Sequence, residues 1–426
     1  MRKVRRIRRE GQGTRVIAAE LEAVPRDVAT IKTKMALIQA LIPLGLLHVA
    51  ESLQQEVELL TGPRYARHGG QPGLVRYGAQ PGSVYLADQK LPIQVPRVRD
   101  HGRNQEVPLA TYQHLQVPRG ADEGVLRRIL AGLSCREYAP CAEAVPEAFG
   151  LSASTMSRRY IRASKRQLRA LSERQLGGYD LVALFLDGKT FAEDTMVVAL
   201  GVTVGGEKVV LGFVQTATEN TTVCTAFLRD LVDRGLRTAD GLLVVIDGGK
   251  GLHRAVDAAF GTAAAIQRCQ WHKRENVVAH LPKHQHARIR AQLQRAYAQP
   301  TYDGAKAALG RIHAELAQLN ASAAASLDEG LEETLTLHRL GLVAELGRSF
   351  ATTNCIESIN GLVEQRTAKV DYWKNSDQKQ RWLATALLDI EPRLRRVKGH
   401  RHLPALRRAL QARIKQAERK QERRAA

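Results

Sequence analysis

The chain has 426 residues, with 64 Lys and Arg against 43 Asp and Glu, a formal charge of +21 and a pI near 10.1. A hydrophobic fraction of 44% beside 25% charged residues excludes a disordered chain and predicts a few folded units. So large a positive excess calls for a polyanionic partner, with nucleic acid ahead of an anionic membrane surface.

The charge is concentrated at the two ends. Residues 1–10 hold a net +5 and residues 393–426 a net +11, so the middle of the chain is nearly balanced. Arg2, Lys3, Arg5 and Arg6 therefore read as a DNA-binding arm, and Arg407 and Arg408 as part of a basic C-terminal helix, expected to be exposed. No apolar segment follows Arg9, so a signal peptide is not expected. The longest apolar run, Leu37–Ala50, falls short of the roughly 20 residues that a bilayer needs and is expected as a buried helix within a helix over 30–60. Residues 61–83, rich in Gly, Pro and Arg, read as turns or a linker. Val84–Arg99 reads as a short hairpin turning at Asp88-Gln89-Lys90, with Pro92 and Pro96 confining it to an edge.

Over 119–178 the pattern is helical. Gly124–Leu133 is amphipathic, Ser134 opens a second helix disturbed by Pro140 and Pro146, and Ser152–Leu171 forms a third. A helix, then Gly-Leu-Ser, then a helix rich in Ser, Thr and Arg has the layout of a helix-turn-helix. Ser154, Thr155, Ser157, Arg158 and Arg159 are the candidates to reach phosphates and base edges; a plain three-helix connector is the alternative.

From 179 the chain turns α/β. An apolar strand (LVALFLDGKTF) precedes two strands joined at Gly205-Gly206, an amphipathic helix over Val223–Leu236, a buried strand (GLLVVIDGG), a helix over Leu252–Phe260 and a fifth strand (AAIQRCQW). This is the order of an RNase H-like mixed sheet. Residues 273–348 read as almost wholly helical, and a new helix follows Ser349–Asn354. Six segments result: 1–118 (basic arm and small helical and hairpin region), 119–178 (helix-turn-helix-like), 179–272 (first part of the core), 273–348 (helical insertion), 349–402 (last part of the core) and 403–426 (basic tail). The fold class expected is thus α/β, an RNase H-like core interrupted by an all-helical insertion and preceded by a helical DNA-binding region.

Asp187 ends the first core strand and Asp247 the fourth, which are neighbours in such a sheet. Two hard carboxylates there could hold Mg²⁺ with a third from a downstream helix, for which Glu357 is the choice. Against this, an Asp-Gly after a strand is commonly a turn, and Asn354-Cys-Ile-Glu357 also fits a capping box. Cys269-Gln-Trp-His272 provides two ligands where structural zinc takes four, so no zinc is expected. Trp271 reads as core, with a stacking platform for an unpaired base as the alternative. The five cysteines lack Cys-x-x-Cys spacing and point to a reducing compartment.

The ordered segments VALFLDGKTF, LLVVIDGGKGL, RCQWHKREN, LTLHRLG and TTNCIESINGLVEQRT resemble the Mutator-type transposases of bacterial insertion sequences, over roughly 120–400. The resemblance implies a DDE recombinase with an RNase H-like core and Asp187, Asp247 and Glu357 as its metal-binding triad. It implies Cys269 and His272 as the family's Cys-x-x-His element, and two Mg²⁺ ions per site, with Mn²⁺ able to substitute. The implied reaction is hydrolysis at the element's ends followed by strand transfer into target DNA. Its partners would be double-stranded DNA, both the terminal inverted repeats and the target, with no membrane and a homodimer or larger assembly during reaction. The implied location is the bacterial cytoplasm, on the nucleoid when DNA is bound. A non-catalytic helix-turn-helix regulator and an RNase H-like nuclease without strand transfer are the alternatives.

Overall fold

The computed structural model describes residues 31–65, 70–86, 89–116, 121–138, 150–191, 193–216 and 220–425. Arg2, Lys3, Arg5 and Arg6 lie outside the described residues, as does most of the second helix of the expected helix-turn-helix. The chain divides into two bodies. One comprises the described residues up to Val125 together with Ser134–Ser157; the other comprises Leu126–Leu133 and Arg158 onward.

The first body packs helix α1 (Ile31–Thr61) on a three-stranded antiparallel sheet of β1 (Leu74–Leu86), β2 (Gln89–Asp100) and β3 (Gln105–Val107), followed by the short α2 (Ala110–Leu115). Its core joins Leu53 and Val57 of α1 to Val95, Val98 and Leu109. Three expectations change here. The run Leu37–Ala50 is helical, but Leu44 and Leu47 are 39% and 59% exposed, because packing on the sheet begins only at Val49. Residues 74–83, expected as turns or linker, are strand β1, since pairing with β2 outweighs their glycines and proline. Gln89 and Lys90, expected in the turn, already pair with Leu86 and Tyr85. Pro92 and Pro96 lie in the central strand, along the stretch that β3 leaves unpaired, where a missing N–H costs no ladder bond on that side.

Helix α3 (Ala121–Leu130) and the long α4 (Ala153–Ser172) precede the second body's sheet. That sheet comprises β4 (Leu181–Phe191), β5 (Asp194–Thr203), β6 (Lys208–Thr216), β7 (Leu242–Ile246) and β8 (Ala264–Arg268), in the order β6-β5-β4-β7-β8. β4 is antiparallel to β5 and parallel to β7, and β7 is parallel to β8. The β5–β6 turn needs Gly206, whose φ is +90° and whose α-carbon lies so close to His400 that a side chain would collide. All five residues of β7 are buried, as expected for a strand covered on both faces.

Helices α5 (Thr221–Asp233) and α6 (Lys250–Phe260) cover one face through Phe227, Leu228, Leu231, Leu252 and Val256, packed on Leu184, Leu186, Val197 and Val244. The fifth strand is shorter than expected: Cys269 caps α7 (Gln270–Ala279), so Gln270 and Trp271 are helical. α7 leads into α8 (Lys283–Tyr297), α9 (Tyr302–Leu319) and α10 (Ala321–Asp328), which share a separate apolar cluster from Val277 to Leu335. Two short helices, α11 (Leu331–Thr334) and α12 (Thr336–Arg339), and then α13 (Val343–Phe350) return the chain to the sheet. Phe350 stacks on Phe185 at 5.5 Å. α14 (Asn354–Thr367) packs on β4 and α15 (Ser376–Ile390) on β6.

The basic tail is a helix, α16 (Leu403–Ala425), but its first half is docked rather than exposed. Leu403, Leu406 and Leu410 are buried. Arg407 reaches Asp180 Oδ1 at 2.5 Å and donates to the carbonyls of Leu181 and Gly241. Among the described residues no helix is long and apolar enough to cross a membrane, and Cys135, Cys224, Cys269 and Cys355 are free thiols.

Candidate active site

Parallel pairing places Leu186 of β4 opposite Ile246 of β7, so Asp187 and Asp247 follow on adjacent strands at the same level. The expectation that Asp187 ends its strand is corrected: β4 runs on to Phe191, paired with β5, and only its pairing with β7 stops before Asp187. Side chains alternate along a strand, so Asp187 faces away from Leu184 and Leu186, toward α14. Asp247 begins the turn into α6, where its Oδ1 accepts from Gly249 N at 3.0 Å. Between them Gly248 has φ +112° and abuts the Arg268 side chain; only glycine fits both demands.

Glu357 stands in the first turn of α14. The capping-box alternative is not realised: Thr353 is the N-cap, and its side chain makes no hydrogen bond to the helix backbone. Glu357 Oε1 instead accepts from Thr353 Oγ1 at 2.6 Å and lies 3.9 Å from His272 Nε2. Thr353 Oγ1 is also 3.4 Å from both His272 Nδ1 and Cys269 Sγ, and the Thr353 N–H donates to Cys269 Sγ at 3.4 Å. The Cys-x-x-His element thus meets the start of α14 through one threonine.

Two further residues were not singled out from the sequence. Asn360, one turn after Glu357, donates from Nδ2 to Asp187 Oδ2 at 2.9 Å. Lys189, two residues beyond Asp187 on the same strand face, donates to Asn360 O and to Glu364 Oε2, each at 3.0 Å. The i, i+3 spacing of Glu357 and Asn360 on one helix face was the available signal.

The electrostatics follow from this crowding. Burial, then the neighbouring Asp247 and Glu357, raise the Asp187 carboxyl to about 7. A hydrogen bond with Cys269 raises the His272 imidazole to about 9 against its own burial, helped by the charges of Asp247 and Glu357. Burial pushes the Cys269 thiol up, but hydrogen bonds from His272 and Thr353 outweigh it and hold the thiol below its ordinary range. Among the described residues, no group of three or more His, Cys, Asp or Glu side chains stands in an arrangement that could hold a metal ion. Trp271, expected in the core, is 43% exposed.

The DNA-binding candidates separate by exposure. Ser154, Arg158 and Arg408 are exposed, Thr155 and Ser157 half-buried. Arg159 is only 2% exposed and does not present its guanidinium to solvent, because it lies on the packed face of α4 next to buried Tyr160. Arg407 is committed to the contacts with Asp180, Leu181 and Gly241.

The sequence profile described as "Transposase, Mutator family" matches residues 21–395. The chain is 31% identical over 287 residues to the transposase for insertion sequence element IS6120 of Mycolicibacterium smegmatis, covering 66% of this chain and 87% of that protein. It is 28% identical over 277 residues to the transposase for IS905 of Lactococcus lactis subsp. lactis, covering 63% and 68%. It is 26% identical over 312 residues to the transposase for IS256 in transposon Tn4001 of Staphylococcus aureus, covering 70% and 77%.

Proposed function

The chain belongs to the Mutator family of transposases, and from this we propose that it cuts and rejoins DNA at the ends of an insertion sequence, with Asp187, Asp247 and Glu357 as its reacting carboxylates. The observation that carries the reading is the crowding of the three. Asp187 and Asp247 stand on adjacent parallel strands, and the charges of Asp247 and Glu357 help raise Asp187 to about 7. The sheet order, with β5 antiparallel and β7 and β8 parallel to β4, supports an RNase H-like core. The separate apolar cluster of 277–335 supports a helical insertion between Asp247 and Glu357.

By donor chemistry alone three carboxylates suit a hard divalent cation, Mg²⁺ with Mn²⁺ able to substitute, although the described side chains are not grouped so as to hold one. Bound there, the metal would activate the attacking hydroxyl or water and stabilise the leaving oxygen of the phosphodiester. The chain's own residues hold the carboxylates ready. Asn360 orients Asp187, and Lys189 ties that asparagine's helix to β4. Thr353 orients Glu357, while His272, protonated at neutral pH, offsets part of the negative charge. We assign Cys269 to holding Thr353 rather than zinc, since Cys269 and His272 fall two short of the four ligands of a structural site. Ser154, Arg158, Arg408 and the basic arm would grip DNA mostly through phosphates, so that binding falls steeply with salt. Bringing two ends together requires at least a dimer.

The test uses purified protein and DNA carrying both flanking ends of its own gene, with Mg²⁺ or Mn²⁺ and Asp247→Asn as control. Joined strands from the unmodified protein only are expected. Nicks without joining point to a nuclease, and binding without cleavage in either metal overturns the reading.

A further inference from the structure

Trp271 stands apart from the other tryptophans. Trp382 is buried and Trp373 half-buried, whereas Trp271 is 43% exposed in the first turn of α7. Single exposed aromatics need no explanation by themselves. This one borders the acidic site: its ring centre is 4.8 Å from that of His272 and nearly perpendicular to it, and His272 Nε2 is 3.9 Å from Glu357. The residues just before it are firmly anchored. Gln270 N donates to Ala351 O and Gln270 Nε2 to Thr334 O, each at 2.9 Å, and Cys269 is fully buried. The backbone that carries the indole is therefore anchored, and the ring borders the carboxylates through His272.

The surrounding charge says what the platform is for. Without a metal, the charges of Asp187, Asp247 and Glu357 disfavour a phosphate beside them, so charge alone positions the strand poorly where the reaction takes place. An aromatic face attracts a nucleobase without any charge, and does so for every base type. We propose that Trp271 is a stacking site for one unpaired nucleobase next to the scissile phosphate. The proposal rests on the reading of the acidic site as the place of cleavage. A base on Trp271 must leave its own stack, which costs a few kcal/mol and least beside a nick, mismatch or weak pair. Trp271 thereby favours a locally opened end over intact duplex.

The test uses the full chain in EDTA, so that no strand is cut, with duplexes spanning its own element end and 2-aminopurine placed singly at each position around the cleavage point. In the unmodified protein the fluorescence of one position changes on binding. Trp271→Ala abolishes that change and weakens binding by about 5- to 150-fold, the range of one base–aromatic stack. Trp271→Phe retains the change, which separates loss of the ring from loss of the fold. The slope of affinity against salt stays the same in Trp271→Ala, because no phosphate contact is removed. An abasic site at the responding position makes the unmodified protein and Trp271→Ala equal. Affinity within twofold with an unchanged fluorescence pattern overturns the proposal, as does a loss spread evenly over all positions and not rescued by Phe. If the duplex is cut and joined in Mg²⁺ but no position responds, stacking alone is refuted. If one position responds but neither metal supports cleavage, the stacking site stands and the assignment of the carboxylates fails.

Discussion

Replacing Asp187 by Asn should make the metal-free protein more stable while ending its activity. Asp187 is 8% exposed, and its carboxyl titrates at about 7 when folded against 3.8 in the open chain. Between those values the folded form holds a proton that the unfolded form has lost, so stability falls as pH rises from 3.8 to 7, and the whole cost is present above 7. At about 1.4 kcal/mol per pH interval the cost reaches about 4 kcal/mol at pH 8 and about 2 kcal/mol at pH 5.5. Asparagine carries no charge at either pH and can still accept from Asn360 through its carbonyl oxygen, at a loss of about 1 kcal/mol for the weaker bond. Asp187→Asn should therefore gain about 3 kcal/mol at pH 8, or about 5 °C in melting temperature for a body of this size, and only about 1 kcal/mol at pH 5.5. Thermal melts and urea titrations in EDTA at the two pH values measure this. Adding Mg²⁺ should then stabilise the unmodified protein and leave the variant nearly unchanged. A gain equal at both pH values, or a variant less stable at pH 8, would refute the account of a crowded, half-charged site.

Three other outcomes follow from particular contacts. Asn360→Leu should fold yet lower cleavage by about 10- to 100-fold, the usual cost of losing a group that orients a ligand, as read in single-turnover assays beside a melt. Arg407→Met should lower stability by about 1–3 kcal/mol in urea, since the carbonyls of Leu181 and Gly241 lose their donor, while the salt dependence of DNA binding stays as it was. Arg174→Met should cost about 3–5 kcal/mol. It strands the Glu391 carboxylate, which Arg174 pairs at 2.6 and 2.7 Å and which also accepts from Val210 N; a double variant with Glu391→Leu should recover only part of the loss, because the buried Val210 N–H then lacks its acceptor.

Some of this protein was readable in the sequence alone. The strands β4 to β8 and the helices between them were found close to their observed bounds, because long apolar runs separated by glycine turns leave few alternatives. The Asp at the end of the β7 run and the Glu opening a helix drew notice for the same local reason. Depth and direction were not readable. The strand LVALFLDGKTF was read to its observed end at Phe191, but that its pairing with β7 stops before Asp187 while its pairing with β5 continues is decided by those two partner strands. The exposure of Trp271, the burial of Arg159 and the docking of Arg407 depend on elements far away in the chain, Asp180 lying 227 residues before Arg407. Asn360 meets Asp187 across 173 residues. Local sequence sets backbone propensity and period. Which face of an element meets solvent, and which of the 43 acidic residues share one site, are set by long-range packing that no short segment encodes.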